Sequence, residues 1–294
     1  MKKFLTIILI LAIGGLSFYF FNRPIAPVVH NPKIAVTIFP LADIAKNIFG
    51  SQIEVVQILP TNSSEHTFEL TPEQALKLQN VDLLFQIGQG LDENWAAQVT
   101  RGNSNIKIVP VSLGINLLTS NDADEPGNDP HYWLDYDNAK LIAKNMLSEA
   151  VKKYPNLDLQ QIENNLSTWL QQVDQSKELS LIKIQALPAQ KKNLVTFHNG
   201  WQYFAKEFNL NIVGVFEQFA GREPTPKELA DLQKVIVSNG ITKVYSEPQF
   251  SPEQLKALAG DLGLSIATLD PIGGGEGWES YIKMMEFNIN EISK

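Results

Sequence analysis

Two blocks of short β-branched runs alternate with helical stretches, and a purely helical stretch separates them; few folds accommodate such a chain. In the first block Ile34–Phe39, Ile53–Leu59, Val81–Ile87 and Ile106–Val111 are apolar and short, as buried strands are. Between them lie Leu41–Phe49, Pro72–Gln79 and Leu91–Val99, with helix formers at helical spacing; Thr71-Pro72 is a helix start signal. Strand and helix in alternation imply a mainly parallel sheet. Asp137–Tyr154 and Asp158–Leu187 then follow as two helical stretches with no strand between them. The second, read as one helix, is about 45 Å long at ~1.5 Å per residue, suited to bridging two bodies. After Pro188 the alternation resumes, with strands expected at Leu194–Phe197, Ile212–Phe216, Lys243–Ser246 and Ser265–Leu269. The expected fold is α/β: two similar lobes, each a mostly parallel four-stranded sheet flanked by helices, joined by one long helix. The boundaries expected are 33–155 for the first lobe, 156–188 for the linking helix and 189–294 for the second lobe.

Composition narrows the function. The 294 residues contain no cysteine, which excludes disulfides, thiolate-ligated metals, cysteine nucleophiles and a lipid-modified cysteine. A metal here must be held by nitrogen and oxygen. The net charge of −8 argues against a nucleic-acid partner, whose phosphates demand a basic surface.

The N-terminus reads as a membrane address. Lys2 and Lys3 precede an uncharged apolar run, residues 4–21, that closes on Asn22-Arg23-Pro24. The run exceeds the usual ~7–15 residues of a signal-peptide core and approaches the ~20 needed to span a bilayer. No small-x-small cleavage site follows directly, and Phe18-Tyr19-Phe20-Phe21 resembles an interfacial aromatic belt. Residues 1–23 are therefore expected to be an uncleaved anchor, a cleaved signal being the alternative, with 24–32 as a proline-rich tether. Either way the body lies outside the cytoplasm.

Four histidines are present, and His30 falls in the tether. The other three share one topological position: His66, His131 and His198 each follow an expected strand. A further strand runs directly into Asp270. Ligands of open α/β sheets bind outside the carboxyl ends of the strands, so two facing lobes bring these four residues toward one cleft. Three imidazoles and a carboxylate form a four-coordinate set that zinc accepts.

Four ordered segments resemble the metal-binding proteins of zinc and manganese ABC importers, the cluster A-I solute-binding family. They are Glu65-His66-Thr67-Phe68-Glu69-Leu70-Thr71-Pro72, Asp129-Pro130-His131-Tyr132-Trp133-Leu134-Asp135, Thr196-Phe197-His198-Asn199-Gly200, and Ser246-Glu247-Pro248-Gln249 leading to Leu269-Asp270-Pro271. The resemblance runs from Lys33 to the C-terminus. It implies a monomeric, extracytoplasmic, high-affinity receptor that hands a divalent metal ion to an ABC permease, and no enzyme. It also implies two lobes bridged by one long helix and small movements on release. Zinc members resemble this chain in carrying histidine at the third ligand, His198, whereas manganese members tend to carry a carboxylate there. Zinc is accordingly the expected ion and manganese or iron the alternative. Many zinc members have a His-rich loop before the second motif; here Thr119–Asn128 has acids but no histidine.

A ligating imidazole normally gives its second N–H to a carboxylate or carbonyl. Glu65, Asp135 and Glu247 are the candidate acids within the motifs, and Glu65 is also a candidate direct ligand. The rival from another class is a secreted zinc hydrolase, since three histidines and a water make a catalytic site. Against it, the chain lacks a His-Glu-x-x-His helix, and Asp270 would close the open position.

Overall fold

The computed structural model describes residues 32–294 apart from Gln79, Asn103, Ser104, 121–126, Phe219 and Ala220. The expected anchor at 4–21, and the tether up to Asn31, lie outside the described residues. No helix among the described residues is long and apolar enough to cross a membrane.

The first lobe is built on β1 (Lys33–Val36), β2 (Glu54–Gln57), β3 (Leu83–Gln86) and β4 (Lys107–Pro110), all parallel in the order β2-β1-β3-β4. Every residue of β3 is buried, as an interior parallel strand covered on both faces requires. Helix α1 (Phe39–Phe49) carries Pro40 in its first turn, where the missing N–H costs nothing. Thr71 starts α2 (Pro72–Lys77) with a reciprocal capping box to Gln74. Helix α3 (Glu93–Gly102) leads toward β4.

Two helices then run in succession. Asp135 caps α4 (Tyr136–Lys153) and Asp158 caps α5 (Leu159–Gln185). The 27 residues of α5 make a rod about 40 Å long at ~1.5 Å per residue. It ends short of Leu187 because a residue preceding proline avoids helical geometry. Its buried face, through Ile162, Trp169, Val173 and Ile184, packs on α1, α4 and the C-terminal helix.

The second lobe holds β5 (Asn193–His198), α6 (Gln202–Phe208), β6 (Asn211–Glu217), α7 (Pro226–Ser238), β7 (Lys243–Ser246), α8 (Glu253–Leu262), β8 (Ser265–Thr268) and α9 (Tyr281–Ser293). Its strands form two parallel ladders, β5–β6 and β7–β8, with β5 lying beside β7. Between β5 and β7 the alignment does not make a continuous ladder, and β5–β6 has a register irregularity at Leu194/Val195.

One hydrophobic core runs through both lobes. It joins Ile34, Leu84 and Phe85 of the first sheet to Trp133 and Tyr136, and on to Phe204, Met284 and Tyr281; a smaller core lies under α7 and α8. Buried hydrogen bonds cross in the same region. Trp133 Nε1 donates to the Pro271 carbonyl at 2.7 Å, and Tyr281 Oη donates to the Trp133 carbonyl at 2.9 Å. Tyr203 Oη accepts from Leu118 N and donates to the Asp129 carbonyl. Interiors packed to crystal-like density transmit strain rather than stretch, so this frame fixes the carboxyl ends of the two sheets against each other.

Candidate metal centre

Three imidazoles meet where those ends converge. His66 lies in the loop after β2, His131 just before the 3-10 turn Tyr132–Leu134, and His198 is the last residue of β5. His66 Nε2 stands 3.1 Å from His131 Nε2, which stands 3.3 Å from His198 Nε2. Glu65 completes the group: each of the four offers a ligand atom, all within 4.8 Å of one another. Glu65 Oε1 is 3.8 Å from Nε2 of both His66 and His131.

The far nitrogens are anchored by acids. His131 Nδ1 is 2.8 Å from Asp129 Oδ1, which also accepts from the His131 backbone N–H. His198 Nδ1 is 2.5 Å from Glu247 Oε2, and the other oxygen of that carboxylate accepts from Trp201 Nε1 at 2.9 Å. Each acid engages the Nδ1 side of its ring, which turns Nε2 toward the shared centre. Three ring nitrogens and a carboxylate oxygen thus lie around one point.

Burial and charge sharpen this. Glu65 is 2% exposed and its Oε1 has no hydrogen-bond partner among the described residues. Such orphaned acceptors are rare and costly. Burial raises the Glu65 pKa despite the favourable influence of His198 and His131. Burial also holds His66 well below the ordinary imidazole value, with repulsion from the other two rings adding to it. His198 behaves oppositely. Burial would lower it, yet the Glu247 carboxylate beside it pushes it up to about 9. Tetrahedral coordination at ~2.0–2.1 Å sets neighbouring nitrogens about 3.3–3.4 Å apart, close to the two spacings present. The donor set fits a divalent cation.

Gly200 supplies room. A Cβ there would lie 2.4 Å from His198 Nε2 and 3.0 Å from the His131 ring, so any side chain at 200 would invade the ligand face. His66 is the most open of the three, 10% exposed at its side chain against 3% and 2% for His131 and His198. It lines a cavity of about 300 Å³ together with Gln89, Asn128 and Pro130; Gln89 Oε1 accepts from Asn128 Nδ2 across it.

The structure brings together His66, His131 and His198, as the strand-end pattern predicts, with Glu65 and Glu247 against them. It does not bring Asp270 into the group. That carboxylate is fully buried and taken up by donors of its own. Oδ1 accepts from Gln249 Nε2 at 2.7 Å and from the backbone N–H of Ile272 and Gly273, while Oδ2 accepts from Trp278 Nε1 at 2.7 Å. Asp135, expected behind a ligand, instead caps α4 through Asn138 N. Asp129, absent from the expected set, takes the supporting position; its signal was its place two residues before His131. A second acidic group, Asp135, Asp137 and Glu207, already has its cations. Lys177 lies 2.8 Å from Asp137 and 3.0 Å from Glu207, and Lys140 also pairs with Asp137.

Residues 34–294 match the model of a family described as zinc-uptake complex component A, periplasmic. A crystal structure of a zinc-bound ZnuA carrying a 138–173 deletion superposes with a TM-score of 0.81 at 27% identity, covering 90% of this chain and 97% of that one. ZnuA itself gives 0.80 at 26% identity, covering 90% and 98%. The manganese ABC transporter substrate-binding lipoprotein PsaA of Streptococcus anginosus is 28% identical over 274 residues, 89% of this chain and 88% of its own. The manganese-binding lipoprotein MntA of Halalkalibacterium halodurans is 26% identical over 262 residues, 88% and 86%. Two lobes, a long helix and a buried imidazole cluster accord with a match over nearly the whole body: the chain belongs to the zinc-uptake component A family, the metal-receptor proteins of ABC importers, which are not enzymes.

Proposed function

We propose that the protein captures a zinc ion outside the cytoplasmic membrane and delivers it to the permease of an ABC importer. His66, His131 and His198 ligate through Nε2, and Glu65 supplies the fourth donor. The observation that carries this is the convergence of three Nε2 atoms on an oxygen of Glu65 that has no other partner. Asp129 and Glu247 orient two of the rings. Nitrogen-rich sites suit zinc, whereas manganese prefers carboxylate, carbonyl and water oxygens; three imidazoles to one carboxylate favour zinc. The manganese receptors among the relatives make manganese the second reading. Those relatives are lipoproteins, and this chain has no cysteine for a lipid; the apolar residues 4–21 serve as its tether.

The test is a competition titration of metal-stripped full-length protein against a chromophoric chelator, with zinc and manganese in parallel. One zinc per chain, bound far more tightly than manganese and lost in His198→Ala, is the expected result. Manganese bound as tightly as zinc would make this a manganese receptor. Zinc affinity unchanged in His198→Ala would remove that residue from the site.

A further inference from the structure

The second lobe has a cavity of about 190 Å³ lined by Lys191, Asn193, Lys243, Tyr245 and Ile292. Asn193 and Lys243 are the first residues of β5 and β7, whereas His198 is the last of β5. At about 3.3 Å per residue, the cavity therefore lies roughly 16 Å from the metal centre along the strand, at the opposite end of the sheet.

Its polar side chains offer protons. Tyr245 is 4% exposed, and its hydroxyl makes no hydrogen bond among the described residues although the residue lines the cavity. Burial, with the Glu291 charge adding to it, raises the Tyr245 pKa, so the phenol stays protonated and can donate. Lys243, two residues before it on the same side of the strand, places Nζ 6.0 Å from the centre of the Tyr245 ring. Lys243 Nζ donates to the Glu291 carbonyl at 3.2 Å, and Lys191 Nζ donates to a terminal carboxylate oxygen of Lys294 at 3.1 Å. Each ammonium retains two further N–H groups. Asn193 accepts through Oδ1 from Asn211 Nδ2, which leaves its own NH₂ to donate. Among the described residues, the carboxylate side chain facing Lys243, Glu291, is engaged by Lys294. Burial lowers the Lys243 pKa and repulsion from Lys191 and Lys294 lowers it further, against the partial compensation of Glu291. In a chain of net charge −8, three lysines, Lys191, Lys243 and Lys294, cluster here against Glu291 and the terminal carboxylate.

Unpaired donors around a small cavity with a positive potential select an anion rich in acceptor oxygens. The volume equals that of about six waters at ~30 Å³ each, enough for one tetrahedral oxyanion and its remaining hydration. We propose that this cavity binds a phosphate group, held by Lys243 and Lys191 and by a hydrogen bond from Tyr245. The group is either free inorganic phosphate or the phosphodiester of an anionic lipid headgroup. The site is independent of the metal assignment.

The test uses the full-length protein in non-ionic detergent, titrated calorimetrically with inorganic phosphate and, separately, with a soluble short-chain phosphatidylglycerol, at ionic strength matched with chloride. At least one of the two binds. Lys243→Gln and Tyr245→Phe each weaken that binding by about tenfold, as loss of a hydrogen bond to a charged group does, while zinc affinity stays unchanged. Tyr245→Phe removes no hydrogen bond of the folded chain, so a folding defect cannot account for its effect. Binding of the phosphodiester at least as tightly as phosphate identifies the lipid headgroup; binding of phosphate alone identifies the free anion. Absence of binding by both, or binding indifferent to Lys243→Gln and Tyr245→Phe, overturns the proposal.

Discussion

Replacing Glu65 with glutamine should move metal-free stability and zinc affinity in opposite directions. In the metal-free protein Glu65 is a buried carboxylate whose Oε1 lacks a partner and lies 3.8 Å from two imidazole nitrogens. Burial raises its pKa, so the attraction of His198 and His131 does not repay the loss of water. Leaving a buried polar group unsatisfied costs about 1–3 kcal/mol, and more when it is charged. Glutamine has nearly the same shape and no charge. Metal-free Glu65→Gln is therefore expected to exceed the parent in stability by about 1–3 kcal/mol at neutral pH, with Tm rising ~2–4 °C per kcal/mol for a domain of this size. The pH dependence has a definite sign. A carboxylate whose folded pKa is raised contributes most below its unfolded value, near 4.5, and loses that contribution as pH rises through the folded value. The gap between variant and parent should thus be small near pH 4.5 and grow toward neutrality. With zinc present the order reverses, because a neutral amide replaces an anionic ligand. Affinity should fall by more than the ~10–100-fold typical of residues that merely support a ligand. Scanning calorimetry of stripped protein from pH 4.5 to 8, paired with zinc competition, measures both. A metal-free variant less stable than its parent would mean that the carboxylate is satisfied after all, and unaltered zinc affinity would mean that it is no ligand.

Zinc must displace a proton from His198, held up to about 9 by Glu247. Apparent affinity should therefore climb nearly tenfold per pH unit from pH 7 and flatten near 9, with about one proton released per zinc at pH 7.5 in calorimetry across buffers of differing ionisation enthalpy; no proton release would contradict the His198–Glu247 pairing. In Glu247→Gln that plateau should move down toward the ordinary imidazole value of ~6.5, and affinity above it should drop by about 10–100-fold. Asp270→Asn should destabilise the fold by about 2–4 kcal/mol, because an amide NH₂ replaces one acceptor among four donors, yet leave zinc affinity nearly unchanged. A large affinity loss in folded Asp270→Asn would return the residue to the coordination sphere. Gly200→Ala, whose new Cβ would lie 2.4 Å from His198 Nε2, should abolish tight zinc binding without adding or removing charge; isothermal titration showing parental affinity would mean that the rings yield freely.

The architecture was legible because its signals are local and redundant. Apolar runs bounded by turn residues marked the strands, and the Thr71-Pro72 pair marked a helix start. The loose join between β5 and β7 was not legible, since strand pairing depends on distant partners. At the site, the strand-end rule brings a residue near the cleft but does not say where its side chain spends its hydrogen bonds. The rings of His66 and His198 had no local partner within their own turns, and the local partner of His131, Asp129, takes only its Nδ1, so the cleft claimed all three Nε2 atoms. Asp270 is followed by Pro271, Ile272 and Gly273, and its carboxylate folds back onto the N–H groups two and three residues on, the habit of aspartate in turns. Asp135 immediately precedes a helix and caps it, as that position favours.

The acids that reached the site share the opposite property. Glu65 sits in a loop where no helix end or turn competes for its Oε1. Glu247 follows β7 and reaches across to His198 on β5, a pairing that only the packing of one strand beside another creates. Asp129 is the intermediate case. It folds onto the backbone N–H two residues ahead, as turn aspartates do, and the same oxygen meets the His131 ring. An acid in a motif is therefore better weighed first against its nearest backbone donors. Only one whose local donors are absent, or whose local turn itself carries the imidazole, is left to serve the ion.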